Sequence, residues 1–169
     1  MTYSPSGKLE VTTPSDLEIV MTRRFIAPKA LVFDAFTRPE HLRRWLGRPQ
    51  DTMSVCEVDL KVGGAWRYRW QLVEGGEMGM YGEFLEIAPP DRLVQTENFE
   101  EPYFEVMGSG SVNTMVLEER DSATTMTLTA LYKSRAARDS VLQTPMEEGA
   151  AMSFNQLEEL LQTLSQSKA

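Results

Sequence analysis

From Met53 to Tyr132 the chain reads as strand after strand, joined by turns with no helix between them, and that stretch decides the fold class. Cys56, Val58 and Leu60 alternate with Glu57 and Asp59, and Trp66, Tyr68 and Trp70 alternate with Arg67, Arg69 and Gln71. Asn113, Met115 and Leu117, then Met126, Leu128, Ala130 and Tyr132, keep the same period. Side chains two apart share one face of a strand, so each run has an apolar and a polar side. Gly63-Gly64 predicts a tight hairpin turn, and Gly75-Gly76 and Pro89-Pro90 mark two more. Such short connections pair neighbouring strands antiparallel. Tyr81 to Ile87 is a further strand, whose phase the pattern leaves open.

The flanks complete an α+β reading. Leu17, Ile19, Met21 and Phe25 share the apolar face of an earlier strand. Pro28 and Pro39 each stand where a short helix begins, the second ending at Gly47 and Pro49. After Tyr132, Arg135 to Gln143 is helical. Thr144-Pro145-Met146-Glu147 then has the spacing of a capping box and opens a helix running to about Ser165. The expected architecture is an antiparallel sheet of six or seven strands curved around that long C-terminal helix. Residues 1–15 read as a flexible tail or short edge strand, and residues 16–167 as a single domain.

Composition removes whole classes of chemistry. One histidine, His41, and one cysteine, Cys56, exclude a His-rich metal centre and an internal disulfide. Seventeen basic residues against 25 acidic ones give a net charge of −8, which argues against nucleic acid as a partner. No stretch nears the ~18 apolar residues of a membrane span. The N-terminus has no apolar run of secretory type, so a cytoplasmic location is expected. No phosphate-binding glycine loop, zinc-binding helix or nucleophile elbow occurs. Neither a catalytic residue nor a cofactor is indicated.

Several segments together carry a resemblance. Phe25-x-Ala27-Pro28 is followed by Val32-Phe33-x-Ala35-Phe36-Thr37-x-Pro39-Glu40-His41-Leu42-x-x-Trp45. Then come Asp59-Leu60-x-x-Gly63-Gly64-x-Trp66-Arg67, Gly82-x-Phe84-x-Glu86-Ile87-x-Pro89-Pro90-x-Arg92-Leu93, and finally Met146-Glu147-x-Gly149, Ser153 and Leu157-x-x-Leu160. In that order they resemble the START-like (SRPBCC) superfamily, and within it the "activator of heat-shock protein 90 ATPase homologue 1-like" family, over about Leu17 to Leu161. The resemblance implies a single START-like domain with a helix-grip fold: an antiparallel sheet gripping the C-terminal helix around an apolar cavity. It does not imply one activity, since members include ligand carriers, polyketide cyclases and chaperone co-regulators. The eukaryotic co-regulators carry an extra N-terminal domain for which this chain has no room, so a chaperone partner is not expected.

Candidate binding residues follow from the two inward patterns. On the sheet they are Trp66, Tyr68 and Trp70, which form an aromatic stripe, with Glu97, Asn113 and Met115. Asn113 stands where an apolar side chain is expected, and a buried amide needs partners in the protein or in a ligand. On the long helix they are Met146, Ala150, Ser153, Phe154 and Leu157. Small residues crowd the N-terminal half of that helix and leucines the C-terminal half, which means either close backbone approach or an unfilled space. Glu100 to Gly110, with Tyr103, Phe104 and Met107, is either a lid or an ordinary connection. The expected function is non-catalytic binding of a small, largely apolar molecule between sheet and helix. The alternatives are a polyketide cyclase- or hydrolase-like enzyme using Tyr68, Glu97 and Asn113, and a protein-interaction domain, whether a chaperone co-regulator or a homodimer.

Overall fold

The computed structural model describes residues 7–101 and 110–167. In chain order the described elements are β1 (Glu10–Thr12), β2 (Glu18–Phe25), α1 (Lys29–Thr37), α2 (Pro39–Trp45), β3 (Thr52–Val58), β4 (Ala65–Gln71), β5 (Glu77–Ala88), β6 (Arg92–Phe99), β7 (Ser111–Arg120), β8 (Ala123–Tyr132), α3 (Arg135–Leu142) and α4 (Met146–Ser167). The strands form one antiparallel sheet in the order β1-β2-β8-β7-β6-β5-β4-β3. This is the helix-grip arrangement, with eight strands rather than six or seven. Part of the excess is β1, which pairs Val11 with Met21 along the edge of β2.

Each strand presents one stripe to the helices. Register places Cys56 and Met80 on either side of Tyr68, Met80 beside Phe99, Met115 beside Leu93, and Leu128 between Met21 and Met115. Directly paired residues share a face, so these form a continuous inner surface. Leucines and aromatics from α1, α2 and α4 cover it: Leu31, Val32, Trp45, Phe154, Leu157 and Leu161 are all buried. The rings of Phe25, Phe36 and Trp45 surround Phe154 at centroid distances of 6.2, 6.4 and 6.1 Å.

Two local expectations need correction, and one open question is settled. Gly63-Gly64 is not a two-residue hairpin turn but the end of a six-residue connection, Asp59 to Gly64, closed by Asp59 N–H donating to Ala65 O at 2.9 Å. Thr144 does not form the capping box. Its hydroxyl donates back to Val141 O at 2.6 Å and so closes α3, leaving Glu147 and Glu148 to face the N-terminal end of α4 through their charge. The phase of β5 was open because a bulge between Phe84 and Glu86 breaks its two-residue period. Residues 102–109, and with them the lid reading, lie outside the described residues.

Candidate functional site

The β6–β7–β8 register builds a polar patch into the apolar inner face. Glu97 pairs with Ser111 and Ser111 with Tyr132, while Asn113, one step along, pairs with Gln95 and Ala130. Asn113 is 7% exposed and bonded at both ends of its amide: its Nδ2 donates to Glu97 Oε2 at 2.7 Å, and its Oδ1 accepts from Ser111 Oγ at 2.8 Å. Because Ser111 holds the carbonyl end of the amide, the NH2 end is aimed at the carboxyl. The second oxygen, Glu97 Oε1, accepts no hydrogen bond among the described residues.

Burial governs the electrostatics here. Loss of hydration pushes the Glu97 carboxyl up to about 7, and the Asn113 hydrogen bond offsets only part of that. Tyr68 is raised above its ordinary value by burial first, then by the potentials of Cys56 and Glu97. Tyr132 is raised by burial and by Glu97, with a Ser111 hydrogen bond acting in the other direction. Cys56 is buried, and desolvation pushes its thiol up, so it stays protonated and unreactive. Tyr68 is only 6% exposed, yet its hydroxyl makes no hydrogen bond among the described residues. Beside it, Trp66 Nε1 is buried without an acceptor among the described residues.

The aromatic wall is shaped by the strand opposite. Trp66 and Tyr68 stand 4.7 Å apart between centroids, and Tyr68 and Trp70 6.2 Å. Trp66 lies across Gly82, its register partner, where a Cβ would sit 2.6 Å from Trp66 Nε1 and 1.9 Å from Thr96 O. Only glycine lets the indole lie flat at that point. Arg67 and Arg69 face away on the outer surface, where they pair with Glu100 and Glu77.

The expected residues therefore divide. Trp66, Tyr68, Glu97 and Asn113 come together. Met115 lies next to Asn113 in the core, and Trp70 is tied off by its Nε1 donating to Leu46 O at 3.3 Å. Phe154 and Leu157 are core residues of α4. Ser153 meets the chain after α2: its Oγ accepts from Gly47 N–H at 3.1 Å. Gly47 has φ +99°, and a Cβ there would lie 2.5 Å from Trp70 Nε1, so this is a close backbone approach that both small residues permit. Ala150 is half-buried against the core, while Met146 lines a separate hollow of about 470 Å³ with Val11, Leu142 and Pro145. Sequence reasoning missed Ser111 and Tyr132. The signal was the period of two running back from Asn113 and on to the end of the Met126 stripe.

Among the described residues no group of three or more His, Cys, Asp or Glu side chains could hold a metal ion, and no helix is long and apolar enough to cross a membrane.

Comparison with known proteins agrees with this architecture. The chain is similar to a crystal structure from Rhodobacter sphaeroides (24% identity, 92% of this chain and 99% of that one, TM-score 0.85). It is also similar to one from Mycobacterium smegmatis (25%, 91% and 97%, TM-score 0.81) and one from Nitrosomonas europaea (26%, 90% and 99%, TM-score 0.78). No curated protein matches the chain significantly. The family described as activator of Hsp90 ATPase homolog 1-like protein matches residues 26–162, which includes both helices after β2, the whole polar patch and most of α4. With its helix-grip fold, the chain belongs to that family.

Proposed function

We propose that this protein binds a small, largely apolar molecule between the inner face of the sheet and α4, without chemical turnover, and orients it through Glu97 and Tyr68. The observation that supports this most is the hydrogen-bonded Glu97–Asn113–Ser111 row set into an apolar face. Beside it, one carboxyl oxygen and the Tyr68 phenol have no partner among the described residues. Neither oxygen is among the fully buried unsatisfied atoms, so a bound molecule can reach both and hydrogen-bond to them. Met80, Phe99, Leu128 and Tyr132 face inward and are only half-buried, so apolar and polar surface both remain for contact. Sites of this kind are mostly apolar, with a few placed polar groups.

The test is native mass spectrometry of the freshly purified protein, followed by tryptophan-quenching titration with naphthalene probes. Added mass lost on denaturation, or saturable quenching weakened in Tyr68→Phe and Glu97→Gln, supports the reading. Unchanged quenching in both variants removes it.

A second reading draws on one observation, the carboxyl pushed up to about 7 beside a tyrosine. A group with that affinity for protons serves as a general acid or base near neutral pH. Turnover of a bound molecule that stops in Glu97→Gln would favour it.

A further inference from the structure

The inner face of the sheet around Glu97 is short of positive charge. The chain has no lysine or arginine between Arg92 and Arg120, and none between Arg138 and Lys168. Those two spans contain the rest of β6, nearly all of β7, and the whole of α4. β3, β5 and β8 also contain none, and the arginines of β4 are on the outer face. On β2, Arg23 does turn inward, but its Nη2 donates to Glu158 Oε2 at 2.7 Å and its Nη1 to Asn155 Oδ1 at 2.8 Å, so its charge is matched within the protein.

On α2, Arg43 donates its Nη1 to Met53 O at 3.3 Å and acts on Cys56, so an anionic ligand beside Glu97 would meet a second negative charge and no unmatched cation from β3 to β8 or α4. A cationic one finds a carboxylate oxygen with no partner among the described residues, on the same inner face as Tyr68, on which the charge of Glu97 already acts. A cation over an aromatic ring gains electrostatic energy, more so when it is desolvated. The net charge of −8 draws cations toward the protein in the first place.

We propose that the molecule held here is an apolar amine, its ammonium seated between Glu97 Oε1 and the Tyr68 ring and its hydrocarbon part along Met80, Phe99 and Leu128. The proposal rests on the site described above and adds the class of ligand. Asn113 keeps its NH2 on Oε2, so Oε1 is the oxygen left to receive the ammonium. Burial that raises Glu97 to about 7 is the state before binding; an ammonium beside it displaces the proton. The other titratable and charged groups around it are Tyr68 and Cys56 on β4 and β3, Tyr132 on β8, the Arg23–Glu158 pair joining β2 to α4, and Glu40 and Arg43 on α2, which act on Cys56.

The experiment compares three probes of one shape: 1-naphthylmethylamine, 1-naphthylmethanol and 1-naphthoate. Each is titrated into the full chain and into Glu97→Gln by tryptophan quenching, with circular dichroism showing that the variant is folded. The amine is expected to bind about tenfold tighter than the alcohol, and the naphthoate weakest. Glu97→Gln is expected to remove the amine's advantage, so that amine and alcohol bind the variant with affinities within about twofold of each other. Amine affinity should also rise from pH 5.5 to 8 while that of the alcohol stays flat. If the alcohol binds as tightly as the amine, or the amine keeps its advantage in Glu97→Gln, the amine proposal is overturned and the binding site stands. If none of the three binds, the site reading fails and the proposal with it.

Discussion

Arg23 and Glu158 meet at 2.7 Å across the interior, one from β2 and one from α4, with their side chains 2% and 4% exposed. The Arg23 guanidinium also lies 5.3 Å from the centre of the Phe25 ring, and its Nε has no acceptor among the described residues. The helix is thus held to the sheet by a charge pair that neither element could keep buried alone.

Removing one partner leaves an uncompensated buried charge. Glu158→Ala is expected to destabilise the protein by about 3–5 kcal/mol, read by urea unfolding. Replacing both residues by methionine should cost far less than the single change, because no charge is then buried. A double variant as unstable as Glu158→Ala would count against the charge argument.

Leu157 is fully buried on the sheet-facing side of α4. Leu157→Ala should cost about 2–5 kcal/mol in the same assay, as leucine truncations in packed cores do. A loss below ~1 kcal/mol would mean that the site collapses around the smaller side chain.

Ser153 is held by hydrogen bonds to the Gly47 backbone, so enlarging it forces the α2–β3 connection off the helix. Ser153→Phe is expected to destabilise by about 1–3 kcal/mol rather than fill empty space. Gly149, four positions earlier, behaves in the opposite way. A Cβ there meets nothing within 4 Å, so Gly149→Ala should raise stability by about 0.5–1 kcal/mol through helix propensity alone. Thermal unfolding of the pair checks both signs.

Glu97 makes stability depend on pH in a defined direction. Its folded value of about 7 lies above its unfolded value of 4.5. Below 4.5 it is protonated in both states and costs nothing. Between 4.5 and 7 the unfolded chain gives up the proton first, so stability falls as pH rises, by at most about 3 kcal/mol, and is level above 7. Glu97→Gln removes this slope: the variant should be more stable than the parent at pH 8 and equal to it near pH 4.5. Denaturant midpoints at five pH values test this, and parallel curves would contradict it.

How much of this was legible in the sequence depends on the range over which the information is held. The Trp66-Tyr68-Trp70 and Asn113-Met115-Leu117 stripes are local patterns, and they gave the correct faces. The pairing of Glu97 with Ser111, and of Ser111 with Tyr132, is a matter of register between strands, which no single strand encodes. The bulge after Phe84 shifts the phase of β5 midway, so its pattern cancels when read as one strand. Ser153 was ambiguous because a small residue signals either space or close approach. The deciding contact, Gly47, lies on a distant connection.

The place of β2 in the sheet has a consequence for the order of events during synthesis. β3 through β8 each lie beside their chain neighbour, so that meander can assemble as it leaves the ribosome. β2 pairs with β1, but its other edge belongs to β8, the last strand made. Until β8 emerges, Ile19, Met21 and Phe25 have no sheet to join, and until α4 follows, Arg23 has no carboxylate. β2 therefore waits until the chain as far as β8 has been made, and that interval is when the nascent chain is most open to self-association or to capture by a chaperone.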